Sequence, residues 1–312
     1  MAFVWVQKAS PKKRRVRREK VTVTYRRLSQ LGKQMGAAIN VDLVRGIQAF
    51  KKRVPRDVLA EAFKSGDYLA ALRVVPWEKL PEDLQLVFSQ LFNTVDKASA
   101  IQIEKLPPNI NERLRFDTAN PTIRNFLGRR TAELVTNIEE DTRANIRDVI
   151  ASSFTQAQTP RQLADRIKGS IGLLPAHEQA LANYKRGLEE DGRSAKDVER
   201  LGDKYEARLL DYRAKMIART ETRAAIVSGQ LSVWREGRKQ GLIEHARKEW
   251  VVDGAPCDIC EPMDEVTVDL DEPFIVDGEE VDGPPEPHPS CQCGLELHFA
   301  DTVGEEAETE ED

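Results

Sequence analysis

The four cysteines of this 312-residue chain all fall between residues 257 and 293. They come in two halves: "PCDIC" carries Cys257 and Cys260, and "HPSCQC" carries His288, Cys291 and Cys293. A C-x-x-C turn and an H-x-x-C-x-C turn, brought together, offer the soft and borderline ligands that a tetrahedral zinc ion takes. Five candidates compete for four positions. The spacing favours Cys257, Cys260 and Cys291 with either His288 or Cys293. Alternation along a strand would send Cys291 and Cys293 to opposite faces unless a turn intervenes, which favours His288. Disulfides formed outside the cytoplasm and plain reduced thiols are the rival readings. A structural zinc is expected rather than a catalytic one. The chain has no HExxH or His-x-Glu pattern, and a small acidic module with little core gains folding free energy from a metal.

Charge is distributed as unevenly as the cysteines. Residues 1–56 hold sixteen Lys/Arg and two acids, a balance of 16 − 2 = +14. Residues 249–312 hold twenty-two Asp/Glu and no Lys or Arg, a balance of −22. The ends therefore call for different partners. The run "SPKKRRVRREK" places Lys12, Lys13, Arg14, Arg15, Arg17 and Arg18 in one arm. Such an arm suits phosphate contact through counterion release. It also looks like a nuclear localisation signal, or simply a solvated arm. No aromatic residue interrupts it, so base stacking is not expected. No apolar run approaches the roughly 20 residues of a membrane span. The opening ten residues lack the order of a signal peptide, so the expectation is a soluble protein made in a reducing cytoplasm.

With 32% charged and 6% aromatic residues, long solvated helices are favoured over a β-rich fold. The expected class is mainly α with a small C-terminal α+β module. Residues 1–40 read as a basic arm and linker, and 41–118 as an N-terminal helical region cut at Pro55, Pro76 and Pro81. Residues 119–241 read as a long-helix region. There Asn120 precedes Pro121, Thr159 precedes Pro160, and Ser194 with Asp197 opens the longest helix. Val198, Leu201, Tyr205, Leu209, Tyr212, Met216, Thr220, Ala224, Val227, Leu231 and Trp234 form one apolar stripe on it. Residues 242–299 read as a small acidic β module in which "KEWVVDG", "EVTVDL", "EPFIVDG" and "CGLELHF" are strands and "DGEEVDGPPEP" is a loop. Residues 300–312 read as an acidic disordered tail.

Two segments in order, "MIARTETRAAIVSGQLSVWREGRKQG" and "KEWVVDGAPCDICEPMDEVTVDLDEPF", followed by "PPEPHPSCQCGLEL", carry a resemblance. They are similar to the C-terminal domain of Mu F-like phage head morphogenesis proteins, also called minor head or minor capsid proteins. The likeness spans roughly Thr159 to Leu297, with one departure at Gln292, where the family usually has a basic residue. It implies a non-enzymatic virion component of a tailed bacteriophage. Such a protein enters the procapsid near the portal vertex and contacts the portal protein or the inner capsid shell. Packaged double-stranded DNA is a further implied partner; a membrane or a small-molecule substrate is not. The alternative is a nucleic-acid-binding packaging or host-directed factor that uses the basic arm.

Within this stretch Arg219, Thr220 and Glu221 read as structural. Thr220 lies on the apolar stripe, where its hydroxyl is expected to bond the helix backbone. Arg219 and Glu221 are expected to pair with residues of the strands that follow. An ADP-ribosyltransferase-type site is disfavoured because the Arg and Glu share one helix. His177, His245 and His298 are isolated in sequence and read as ordinary surface or packing residues.

Overall fold

Prolines and side-chain caps set the ends of the helices. The computed structural model describes residues 22–299 apart from 68, 154–157 and 253–256. Its helices are α1 Val23–Arg53, α2 Arg56–Lys64, α3 Ala70–Val74, α4 Leu80–Asp83, α5 Gln85–Lys105, α6 Pro108–Asn111, α7 Pro121–Ser153, α8 Pro160–Ser170, α9 Pro175–Glu190 and α10 Ala195–Lys239. Short strands follow: β1 Ala246–Val251, β2 Thr267–Asp269, β3 Phe274–Val276, β4 Glu279–Val281 and β5 Gly294–Phe299. The class is mainly α with a small C-terminal α+β module. No helix among the described residues is long and apolar enough to cross a membrane.

The capping side chains act where the sequence puts them. Asn120 Oδ1 accepts the Ile123 N–H at 3.0 Å, and Ser194 Oγ accepts the Asp197 N–H at 3.2 Å. Thr159 and Gln162 close a reciprocal capping box at the start of α8. The N-terminal boundary differs from expectation. Helix α1 begins at Val23, capped by the Thr22 hydroxyl, and runs straight through the expected 40/41 division. Leu28, Leu31, Met35, Ile39, Leu43, Ile47 and Phe50 form one buried stripe across that point. The basic arm and the 300–312 tail lie outside the described residues.

Helix α10 is the axis of the molecule. It packs against α1, α5, α7, α9 and β5. The expected single stripe describes it only in part, because Tyr212 is exposed whereas nearly every residue from Glu221 to Leu231 is buried. Neighbours on several sides, not one core face, cover its C-terminal half. Close crossings depend on glycine: a Cβ on Gly229 would stand 2.8 Å from the Val95 carbonyl of α5.

The module has two small sheets. One is antiparallel with order β2-β1-β5; the other is the β3-β4 hairpin. Strand β4 lies within the segment expected to be a loop. The Asp277-Gly278 pair has φ +53° and +84°, and two positive-φ residues in a two-residue connection are what a hairpin of right-handed twist requires. The module shares its core with α10. Val227, Leu231 and Trp234 pack with Trp250, Phe274 and Leu295, and Cys260, Cys291 and Cys293 belong to the same cluster.

Candidate metal centre

The first ligand turn is tight. The Cys257 carbonyl accepts the N–H groups of Cys260 at 3.0 Å and Glu261 at 2.9 Å, which brings both thiols to one side of the turn. The second half arrives from the loop between β4 and β5. His288 Nε2 lies 3.1 Å from Cys257 Sγ and 3.0 Å from Cys260 Sγ. Cys260 Sγ lies 3.7 Å from Cys291 Sγ. Cys257, Cys260 and His288 form one mutually close set, and Cys260, Cys291 and Cys293 form another. All five expected ligands therefore converge, with Cys260 shared by both sets. The four thiols are not joined in disulfides in this structure.

Alternation does not separate Cys291 from Cys293. Both precede β5, and Ser290 has a left-handed φ of +60° that turns the chain just before them. Both are buried, at 2% and 4% exposure. Contact with Cys257 and Cys260, not strand alternation, places His288 at the cluster.

The Cys260–Cys291 spacing is that of two sulfurs on one tetrahedral ion. Bond lengths of about 2.3 Å to sulfur and about 2.0–2.1 Å to imidazole nitrogen imply S···S near 3.8 Å and S···N near 3.5 Å. The sulfur pair is close to that value and the histidine contacts are slightly shorter. The imidazole has a suitable tautomer, since Nδ1–H donates to the Pro289 carbonyl at 3.0 Å and leaves the Nε2 lone pair facing the thiols. Hydrogen bonding among Cys260, Cys291 and Cys293, followed by burial, pushes the Cys260 thiol far above its ordinary value. For Cys291 the bond with Cys260 lowers the value, but Cys293 and burial outweigh it and push the thiol up to about 12. Packed thiols with no cation among them hold their protons; a bound divalent cation reverses this. The cluster can hold a metal ion.

The ligand loop is anchored to the helical body. Thr220 Oγ1 accepts the Ser290 N–H at 2.8 Å and donates to the Met216 carbonyl at 3.0 Å. The helix-backbone bond is the expected one; the grip on the loop is not visible in the sequence. Tyr25 of α1 donates its hydroxyl to the Gln292 carbonyl at 3.3 Å. Glu221 pairs with Arg130 of α7, at 2.8 and 3.0 Å, and not with the following strands. Burial raises its carboxyl, with Arg130 opposing. Arg219 is exposed and makes no ion pair among the described residues. His298 is not isolated, because its Nε2 meets Glu249 at 2.6 Å across the sheet. His177 packs edge-on against Tyr212, and His245 is exposed.

Sequence reasoning missed the root of the ligand loop. Lys248 is fully buried and donates to the Asp282 carboxylate at 2.6 Å and carbonyl at 3.0 Å. Arg235 donates to both carboxylate oxygens of Asp282 at 2.7 and 2.6 Å. Burial pushes Asp282 up, but these hydrogen bonds outweigh it and hold the carboxyl below its ordinary value. The available signal was period two: Ala246, Lys248 and Trp250 share the inward face of β1. Beside this root a cleft of about 440 Å³ runs between α7, α10 and the loop.

Comparison with protein-family models, with curated proteins and with solved structures finds no match to this chain.

Proposed function

We propose that this chain is a structural minor head protein of a tailed phage, docked near the portal vertex, with a zinc ion stapling its C-terminal module. One observation carries the reading. The separate motifs of the resemblance converge in space: the Cys257–Cys260 turn meets His288 and Cys291, and Thr220 of the Arg-Thr-Glu segment grips Ser290 between them. Motifs that meet in this way read as one working unit. Three or four thiolates with an imidazole suit zinc over harder cations. The Arg-Thr-Glu segment is engaged in packing, with Glu221 bound to Arg130 and Thr220 bound to the loop, which supports a non-catalytic role.

The portal protein or the inner capsid shell is the proposed partner, and the virion the proposed location. The arm at Lys12–Arg18 contacts the phosphates of packaged DNA, while repulsion keeps the acidic module away from it. Co-purification with the portal protein from infected cells, with mass spectrometry of procapsids and virions, tests this. Presence in both particles is expected. A protein abundant and free in the host but absent from both particles would point to the host-directed alternative. Charge reversal across Lys12–Arg18 is expected to abolish salt-dependent DNA binding and leave the melting temperature unchanged.

A further inference from the structure

The cleft beside the ligand loop encloses about 440 Å³. Its floor is α10, where Ala224, Val227 and Leu231 face it, and one wall is the turn at Pro284 and Pro285. The floor runs from Thr220 to Arg235, roughly 22 Å along a helix that rises about 1.5 Å per residue. The charges around it cancel: Arg129, Arg130 and Arg235 stand against Glu133, Asp282 and Glu286. Arg130 is already held by Glu221 and Glu133, and Arg235 by Asp282. A highly charged ligand gains little there, and an uncharged apolar segment suits such a cleft best. Ser228 and Ser232 add a polar register. Both line the cleft, one helical turn apart, and neither hydroxyl makes a hydrogen bond among the described residues. Their spacing of about 6 Å is close to the roughly 6.6 Å between alternate carbonyls of an extended chain.

The chain itself contains such a segment. Ala2–Val6 is five apolar residues in a row, and Lys8 is the only charged side chain among residues 1–9. An apolar run of this kind is costly to leave in water. The arm that carries it joins the body at Thr22, whose hydroxyl donates to Glu296 of β5 at 2.5 Å. The cleft wall includes Gly283, where a Cβ would stand 3.0 Å from Leu295 of the same strand. The root of the arm and the wall of the cleft therefore meet neighbouring residues of β5. The fifteen residues Gln7–Val21 span up to about 50 Å when extended, enough to round the loop. A tether of this kind supplies an effective concentration on the order of millimolar. The tail at 300–312 holds seven acids and suits a cleft bordered by Asp282 and Glu286 poorly.

We infer that Ala2–Val6 of the same chain docks in this cleft in extended form, with Phe3 and Trp5 turned onto Ala224, Val227 and Leu231. Five extended residues measure about 17 Å, within the length of the floor, and alternation puts Phe3 and Trp5 on one side. The Ser228 and Ser232 hydroxyls donate to the segment's backbone carbonyls. The basic run Lys12–Arg18 is then presented as a loop tied at both ends.

Trp5 reports on the contact directly. The other tryptophans are already inside the fold, with Trp234 and Trp250 at 1% and 0% exposure and Trp77 half-buried. The test uses the full chain purified under reducing conditions. Acrylamide is expected to quench Trp5, read as the difference from Trp5→Phe, several times less readily than in a peptide of residues 1–9. Ser228→Arg and Ser232→Arg fill the cleft from its floor. Each is expected to restore the quenching seen in the peptide while melting cooperatively. A chain with benzoylphenylalanine in place of Trp5 gives a reading that needs no cleft variant. Its photocrosslinks are expected within residues 122–133, 220–235 and 282–289. Quenching of wild-type Trp5 equal to that of the peptide overturns the inference. Protection that survives both arginine variants, or crosslinks confined to other parts of the chain, places the segment elsewhere and also overturns it. Protection lost on dilution, together with a dimer in sedimentation, assigns the cleft to a second copy's segment and overturns docking within one chain.

Discussion

Thr220 serves two partners with one oxygen, accepting from Ser290 and donating to Met216. Thr220→Val keeps the shape and removes both bonds, leaving the Ser290 N–H without its acceptor. The expected loss is about 1–2 kcal/mol in urea unfolding of the zinc-loaded protein. Thr220→Ser is expected to stay within about 0.5 kcal/mol of the wild type. Equal stability of the valine variant would show that the loop is held by other means. Asp269 offers a pH test. The hydrogen bond from Arg238, followed by one from the Asp271 backbone, holds its carboxyl down at about 2. The unfolded value is about 3.9. A depressed acid stabilises the native state above its unfolded value, and that contribution disappears as pH falls from about 4 through about 2. The pair is largely exposed, so the contribution is screened and modest. Asp269→Asn is accordingly expected to melt below the wild type at pH 7, with the difference vanishing near pH 2 in a melting series. A constant difference across that range would detach the effect from ionisation.

At the scale of elements, helix ends were legible and helix surroundings were not. Asn120, Thr159 and Ser194 cap locally, so their neighbours in sequence suffice to find them. The start of α1 was obscured by polar residues that precede its buried stripe. The surroundings of α10 depend on which helices arrive from elsewhere, and residue order does not encode that. Strand β4 was legible in principle from Asp277-Gly278 but was hidden by its acidic composition. The five metal-ligand candidates were legible because their chemistry is rare; Lys248, Asp282 and Arg235 were not, because salt-bridging residues are common. Helix crossings make a testable point. A Cβ on Gly46 of α1 would stand 2.4 Å from the Asp83 carbonyl of α4. In an isolated helix Gly→Ala is favourable by about 1 kcal/mol. Here the backbone cannot yield cheaply, so Gly46→Ala is expected to destabilise by about 1–3 kcal/mol. A stabilised variant in chemical denaturation would mean that α1 and α4 separate readily.

At the scale of the molecule, two cores meet along α10. The helical core holds Ile39, Leu43, Phe50, Leu91 and Ile146. The second core joins Trp234 of α10 to Trp250, Phe274 and three of the cysteines. The module is thus fastened to the body through apolar contact, through the Lys248–Asp282–Arg235 network and through Thr220. Its own sheets have three and two short strands, too little to stand without the helix and a staple. The central claim is that the cysteines and His288 are that staple, holding zinc. The most direct measurement is the metal content of the protein purified under reducing conditions, by inductively coupled plasma mass spectrometry. About one zinc per chain is expected, as for a closed structural site. Protein that is folded and free of zinc, with its four cysteines found in two disulfides, would contradict the account.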